Sequence, residues 1–109
     1  MSFSIKKQGD ICVVDVEGQL IVGNRQELKQ KVLDELEKGE KKFLIDFSQT
    51  GYIDSSGLAV LIEAMQNVGS YGGKFALSGL QESVRPIFEI ARLDQVFQIF
   101  PDTASALRT

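Results

Sequence analysis

The stretch Phe43-Leu44-Ile45-Asp46-Phe47-Ser48-Gln49-Thr50-Gly51-Tyr52-Ile53-Asp54-Ser55-Ser56-Gly57-Leu58 decides the fold. It opens with Phe43 to Phe47, a short apolar run of the kind that makes a buried strand. It closes on the polar triplet Asp54-Ser55-Ser56. Beyond it Leu58, Leu61, Ile62, Met65 and Val68 recur on one helical face. The spacing predicts a helix from Ser56 to about Tyr71, with Gly69, Gly72 and Gly73 supplying the exit. A strand running through a loop into an amphipathic helix is half of a βαβ unit.

The same alternation extends both ways. Upstream, Ser4 to Lys7 and Ile11 to Glu17 read as strands around a Gly9-Asp10 turn, hence an antiparallel hairpin, with Gly18 closing the second. Asn24 to Lys38 reads as a helix: Leu28, Val32 and Leu36 make its stripe, Asn24 and Glu27 stand at capping-box spacing, and Gly39 ends it. Downstream, Phe75 to Ser78 is a strand. Gln81 to Arg92 is a helix with Ser83 as its cap and Pro86 in its first turn, where a missing N–H does no harm. Val96 to Phe100 is extended, and Asp102 caps a terminal helix to Arg108. After the hairpin each crossover should be right-handed, which makes the remaining strands parallel. The expectation is one α/β domain over residues 1–109: a mixed, mostly parallel sheet of four or five strands, an N-terminal antiparallel hairpin and about four helices.

Composition narrows the function. The chain has 109 residues, 43% of them apolar, which suits one domain with its own core. Twelve basic against fifteen acidic residues leave a net charge of −3, which argues against a nucleic-acid partner. There is no histidine, so every Ser-His or Cys-His mechanism and the commonest metal ligand are excluded. The single cysteine, Cys12, sits in an apolar strand and reads as a core residue rather than a nucleophile. No apolar run approaches membrane-spanning length, and Met1 to Gln8 lacks a signal-peptide core. A cytoplasmic protein that is not an enzyme, with no cofactor, no metal site and no membrane partner, is expected.

Three apparent motifs fail. Gly69 to Lys74 ends in Gly-Lys, but the spacing is too short for a phosphate-binding loop and the segment leads from a helix into a strand. Asp46 near a strand end is placed like the phosphoacceptor of a receiver domain, but Gly18-Gln19-Leu20-Ile21 offers no acidic pair to hold a cation. As a nucleotide-binding or enzyme site, Asp46, Asp54, Ser55 and Lys74 include no evident tuned base. The charge run of the first helix has both signs interspersed and reads as a solvated face.

The triplet before the second helix is different. Any one of Asp54, Ser55 and Ser56 can cap the helix, but one cap does not explain three. Gly57 in the first turn is a poor helix former and fits a place where another surface or a phosphate comes close. Residues 25–42 carry eleven charged side chains, whereas residues 47–73 carry only Asp54 and Glu63. A helical wheel turns Ala59, Val60, Glu63, Gln66, Asn67 and Ser70 outward, with Val60 near the middle. Such depletion of charge suits the centre of an interface.

Leu44-Ile45-Asp46-Phe47-Ser48 followed by Tyr52-Ile53-Asp54-Ser55-Ser56-Gly57-Leu58 closely resembles the signature of the STAS domain, best in its stand-alone bacterial branch, the anti-sigma factor antagonists. Gly18-Gln19-Leu20, Gly72-Gly73-Lys74-Phe75, Leu93 to Phe100 and Ala104 to Leu107 extend the likeness over almost the whole chain. The resemblance implies a STAS-like fold and a binding protein. Its unphosphorylated form would bind an anti-sigma factor, commonly a serine kinase, and free a sigma factor. It implies Ser55 as the phosphorylated hydroxyl and a serine phosphatase as the enzyme that resets it. The partner surface expected from it comprises Asp54, Ser55, Ser56, Gly57, Ala59, Val60, Glu63 and Ile21, on a monomer or weak dimer. One departure stands out: Ile21 occupies a position that is acidic in many antagonists, and Leu20 to Gly23 is unusually apolar. That departure favours, as the alternative, a non-switching STAS scaffold module in a multi-protein signalling complex.

Overall fold

The structure, a computed structural model, describes residues 3–108. The elements run β1 (Phe3–Gln8), β2 (Ile11–Leu20), α1 (Arg25–Glu37), β3 (Lys42–Ile53), α2 (Ser55–Ser70), β4 (Lys74–Ser78), α3 (Arg85–Ile90), a 3-10 turn (Leu93–Gln95), β5 (Gln98–Phe100) and α4 (Thr103–Leu107). The five strands lie in the order β1-β2-β3-β4-β5. β1 is antiparallel to β2 and every later pair is parallel. This is the expected α/β class: hairpin, mostly parallel sheet and four helices.

Strand order equal to chain order has a consequence. Right-handed crossovers that always step the same way put their helices on the same face. Leu28, Val32 and Leu36 of α1, Val60, Leu61, Ala64 and Val68 of α2, and Phe88 of α3 accordingly share one core with Cys12, Val14, Val16, Phe43, Ile45 and Phe47. The alternate strand residues point the other way. There Val13 and Leu44 are covered by Ala106 of α4.

Two strands run further than expected. β2 does not stop at Gly18. Register shifts between Asp15 and Glu17 and between Gly18 and Gln19 carry it on to Leu20, with Gly18 at φ +93, a bulge conformation open to glycine. β3 continues through Ser48-Gln49-Thr50-Gly51, which reads as a loop in sequence. Thr50 is buried there and its hydroxyl donates to the Val16 carbonyl at 2.6 Å, so the polar group is satisfied. Leu20 and Ile53 are thus register partners at the far end of the sheet.

Three caps also differ. Asn24 occupies the N-cap position of α1 without capping it: its side chain accepts from Ile21 N–H at 2.9 Å and donates to the Gln19 carbonyl at 2.8 Å, so it braces the preceding loop. Ser83 does not cap α3. Its hydroxyl donates to the Gly51 carbonyl at 3.1 Å, and the shorter α3 starts after Val84 with Pro86 in its first turn. α2 starts at Ser55, one residue earlier than predicted, and its cap falls to Asp54 alone, whereas Asp102 caps α4 as expected.

Candidate functional site

The site is the N-terminus of α2, set where the ends of β2 and β3 meet. Asp54 organises it. One carboxylate oxygen accepts from Gly57 N–H at 2.8 Å, the bond of a helix cap. The other accepts from Val22 N–H at 3.1 Å, which ties the loop after β2 to the helix start. The Asp54 N–H itself donates to the Leu20 carbonyl at 3.2 Å. Three segments are therefore fixed through one residue.

Ser55 is the first residue of α2 and is exposed; Ser56 beside it is half-buried. The first N–H groups of a helix lack intrahelical acceptors and carry the positive end of its dipole. The Gly57 N–H is taken by Asp54, and those of Ser55 and Ser56 belong to the same first turn, where no intrahelical acceptor exists.

Gly57 is corrected in its role. It is buried, and a Cβ there would lie 2.5 Å from the Leu20 carbonyl oxygen and 2.8 Å from Ile53 Cγ2. The close approach inferred from sequence is real, but the approaching surface is the chain's own β2 end rather than a partner or phosphate. Val60 is corrected too: it is fully buried, not central on an outward face. α2 packs against α1 as well as against β3 and β4, so its buried arc is wider than a one-sided stripe and takes in Val60 and Ala64. Ala59 is exposed as expected. Glu63 is half-buried and faces α1, where Lys29 Nζ lies 3.4 Å from it.

Ile21 is half-buried, its backbone pinned by Asn24. The residue that the sequence reading missed is Val22, 66% exposed and hydrogen-bonded to Asp54. The apolar run Leu20 to Gly23 was the available signal, but it does not say which side chain turns outward. Exposed at this end of the fold are Val22 on the loop and Ser55 and Ala59 on the helix, while the Asp54 carboxylate bonds to both segments.

The remaining candidates lie elsewhere. Asp46 points to the opposite face of the sheet from α2. It accepts from Ser48 N–H at 2.8 Å and from the Thr103 hydroxyl at 2.7 Å, which tethers α4. Burial pushes its carboxyl up, but these hydrogen bonds outweigh it and hold the group below its ordinary value. Cys12 is buried, and burial together with Glu40 and Glu35 pushes its thiol up to about 11, which leaves it protonated and unreactive at neutral pH. Ligand atoms of Cys12, Glu35 and Glu40 lie within 4.8 Å of one another. Both carboxylates are engaged by ammonium groups, Glu35 by Lys38 at 3.2 Å and Glu40 by Lys7 at 2.6 Å. Lys74 opens β4 directly after the turn from α2, the helix-into-strand order that does not suit a phosphate-binding loop. Among the described residues no helix is long and apolar enough to cross a membrane.

The chain thus combines a mixed five-stranded sheet, carrying α1 to α3 on one face, with an Asp-capped helix that presents a serine at its start. The family model for the STAS domain matches residues 2–106, and the chain belongs to that family. A Thermotoga neapolitana protein provisionally named an anti-sigma factor antagonist is 33% identical over 106 residues, covering 96% of this chain and 94% of that one. The crystal structure of a protein of the same provisional name from Thermotoga maritima superposes with a TM-score of 0.90 at 29% identity, over 97% of this chain and 92% of that one. The fold is shared more distantly with the Bacillus cell fate determinant SpoIIAA in its phosphorylated form, with a TM-score of 0.76 at 16% identity over 98% and 97% of the two chains.

Proposed function

We propose that this chain is an anti-sigma factor antagonist whose binding is switched off by phosphorylation of Ser55. The observation that carries the reading is the placement of Ser55: exposed, first in α2, and set beside the Asp54 cap in a stretch almost bare of charge. The names of its relatives support the antagonist class. In the unphosphorylated state Val22, Ser55 and Ala59, with Asp54, Ser56 and Ile21 at their edge, form the face for an anti-sigma factor of the serine-kinase type. That partner, when bound, leaves a sigma factor free. A serine phosphatase restores the binding form. The protein works in the cytoplasm and has no catalytic residue of its own.

The physics of the switch is local. A phosphoserine brings about −1.5 to −2 charges at neutral pH. At a helix start the phosphate is accommodated by open N–H groups and the dipole, so the fold persists. The partner face does not tolerate it as easily, because the new charge must lose water against a surface that now offers Asp54 as its neighbour. Reversing a complex from 99:1 to 1:99 needs about 5.5 kcal/mol of differential affinity, within reach of an unpaired buried charge and lost hydrogen bonds.

Incubation with ATP and the serine-kinase anti-sigma factors of the source genome tests this reading. It requires phosphate on Ser55, a Ser55→Asp chain that folds but does not bind, and a Ser55→Ala chain that binds constitutively. The exposed Val22 also suits a scaffold module. Light scattering separates the two, since a scaffold forms large assemblies and the switch a monomer or weak dimer.

A further inference from the structure

We propose that the face of the sheet opposite α1 to α3 binds a small amphiphilic anion, an aliphatic carboxylate of medium chain length, in the groove beside α4. The register places Ile11 and Val13 of β2, Lys42 and Leu44 of β3, and Lys74 and Ala76 of β4 on this face. α4 covers only part of it, through Ala106 on Val13 and Leu44. Beside α4 a groove of about 600 Å³ remains, floored by Leu44, Ala76 and Phe100 and walled by Leu107. That volume lies within the ~300–1,000 Å³ of small-molecule sites.

Two features select the ligand. The apolar side chains are recessed: Leu44 is buried, and Ala76, Phe100 and Leu107 are half-buried. A recessed apolar floor accepts a slender chain better than the flat surface of a protein. The mouth is cationic. Lys42 and Lys74 are register partners at the starts of β3 and β4, so both leave the sheet on the groove side. Lys42 is held by Asp10 at 2.9 Å, whereas Lys74 is exposed and has no ion pair among the described residues. Two ammonium groups against one carboxylate leave a single positive charge, matched by a monoanion whose tail follows the floor toward Phe100. The groove opens at the start of β3, and Ser55 follows that strand's end, so the two sites are separate.

Amide NMR of the whole chain, titrated with octanoate and in parallel with octyltrimethylammonium, tests the proposal. Octanoate is expected to shift Leu44, Ala76 and Leu107 while leaving Val22 and Ser55 in place. The octyl cation is expected to bind more weakly by up to about fivefold, the scale of one exposed ion pair. Lys74→Glu is expected to weaken octanoate by a similar factor. The proposal is overturned if octanoate leaves the groove amides unmoved, or if the cation binds equally well. It is also overturned if light scattering shows a dimer that Lys74→Glu at the groove mouth dissociates. The comparison of the two octyl compounds uses the unaltered chain and so does not depend on how Lys74→Glu folds.

Discussion

The Asp54 carboxylate accepts the N–H of Val22, 32 residues away in sequence, at 3.1 Å. Its other oxygen caps α2 at Gly57. The loop that carries the exposed valine and the helix that carries Ser55 are thus held by one side chain. Asp54→Ala should lower stability by about 1–2 kcal/mol, the scale of a lost cap. It should also raise amide exchange at Val22 selectively. Denaturant unfolding and hydrogen exchange read the two effects separately.

Gly57→Ala runs against helix propensity. Alanine is normally better by ~1 kcal/mol inside a helix. Here its methyl group would meet the Leu20 carbonyl oxygen, a backbone atom tied to Asp54, so a loss of about 1–3 kcal/mol is expected. Gly69→Ala in the same helix is the control: nothing lies within 4 Å of its would-be methyl group. It should be neutral or stabilising by up to ~1 kcal/mol. Urea midpoints of the two variants decide the matter.

The two α2 positions once expected on one face should now behave differently. Ala59→Glu, at an exposed position, should leave unfolding within about 0.5 kcal/mol of the parent and weaken anti-sigma factor binding. Val60→Glu places a charge in the core and should prevent folding. Circular dichroism with a pull-down distinguishes a surface role from a structural one.

Asp46 predicts an acid limb. Its folded pKa lies below the ordinary 3.8, so its bonds to Ser48 and Thr103 contribute fully above the unfolded value. The contribution is lost as the pH falls through the lower folded value. Asp46→Asn should destabilise by about 1–2 kcal/mol at neutral pH and flatten the fall in stability below about pH 4. Unfolding free energies measured across that range check it.

Much of this was legible because local signals agreed with the fold. The hairpin at Gly9-Asp10, the α1 stripe of Leu28, Val32 and Leu36, and the run Phe43 to Phe47 each carry their own periodicity. What was hidden depends on neighbours far along the chain. Ser48 to Gly51 looks like a loop until β2 supplies partners through its bulges and Val16 accepts the buried Thr50 hydroxyl. Val60 looks like a surface residue until α1 is seen packed beside α2. The importance of Asp54, Ser55 and Gly57 was visible as a pattern. Their division into cap, exposed hydroxyl and packing position was not, because it is set by Leu20, Ile53 and Val22.

The most direct measurement is site mapping of phosphate by mass spectrometry on the chain recovered from its own cells and on the chain treated with the serine-kinase anti-sigma factor. The expected result is a single phosphate on Ser55, with the modified chain still folded and released from the kinase. A phosphate on Ser56 or elsewhere, or a Ser55-phosphorylated chain that stays bound, would contradict the switch.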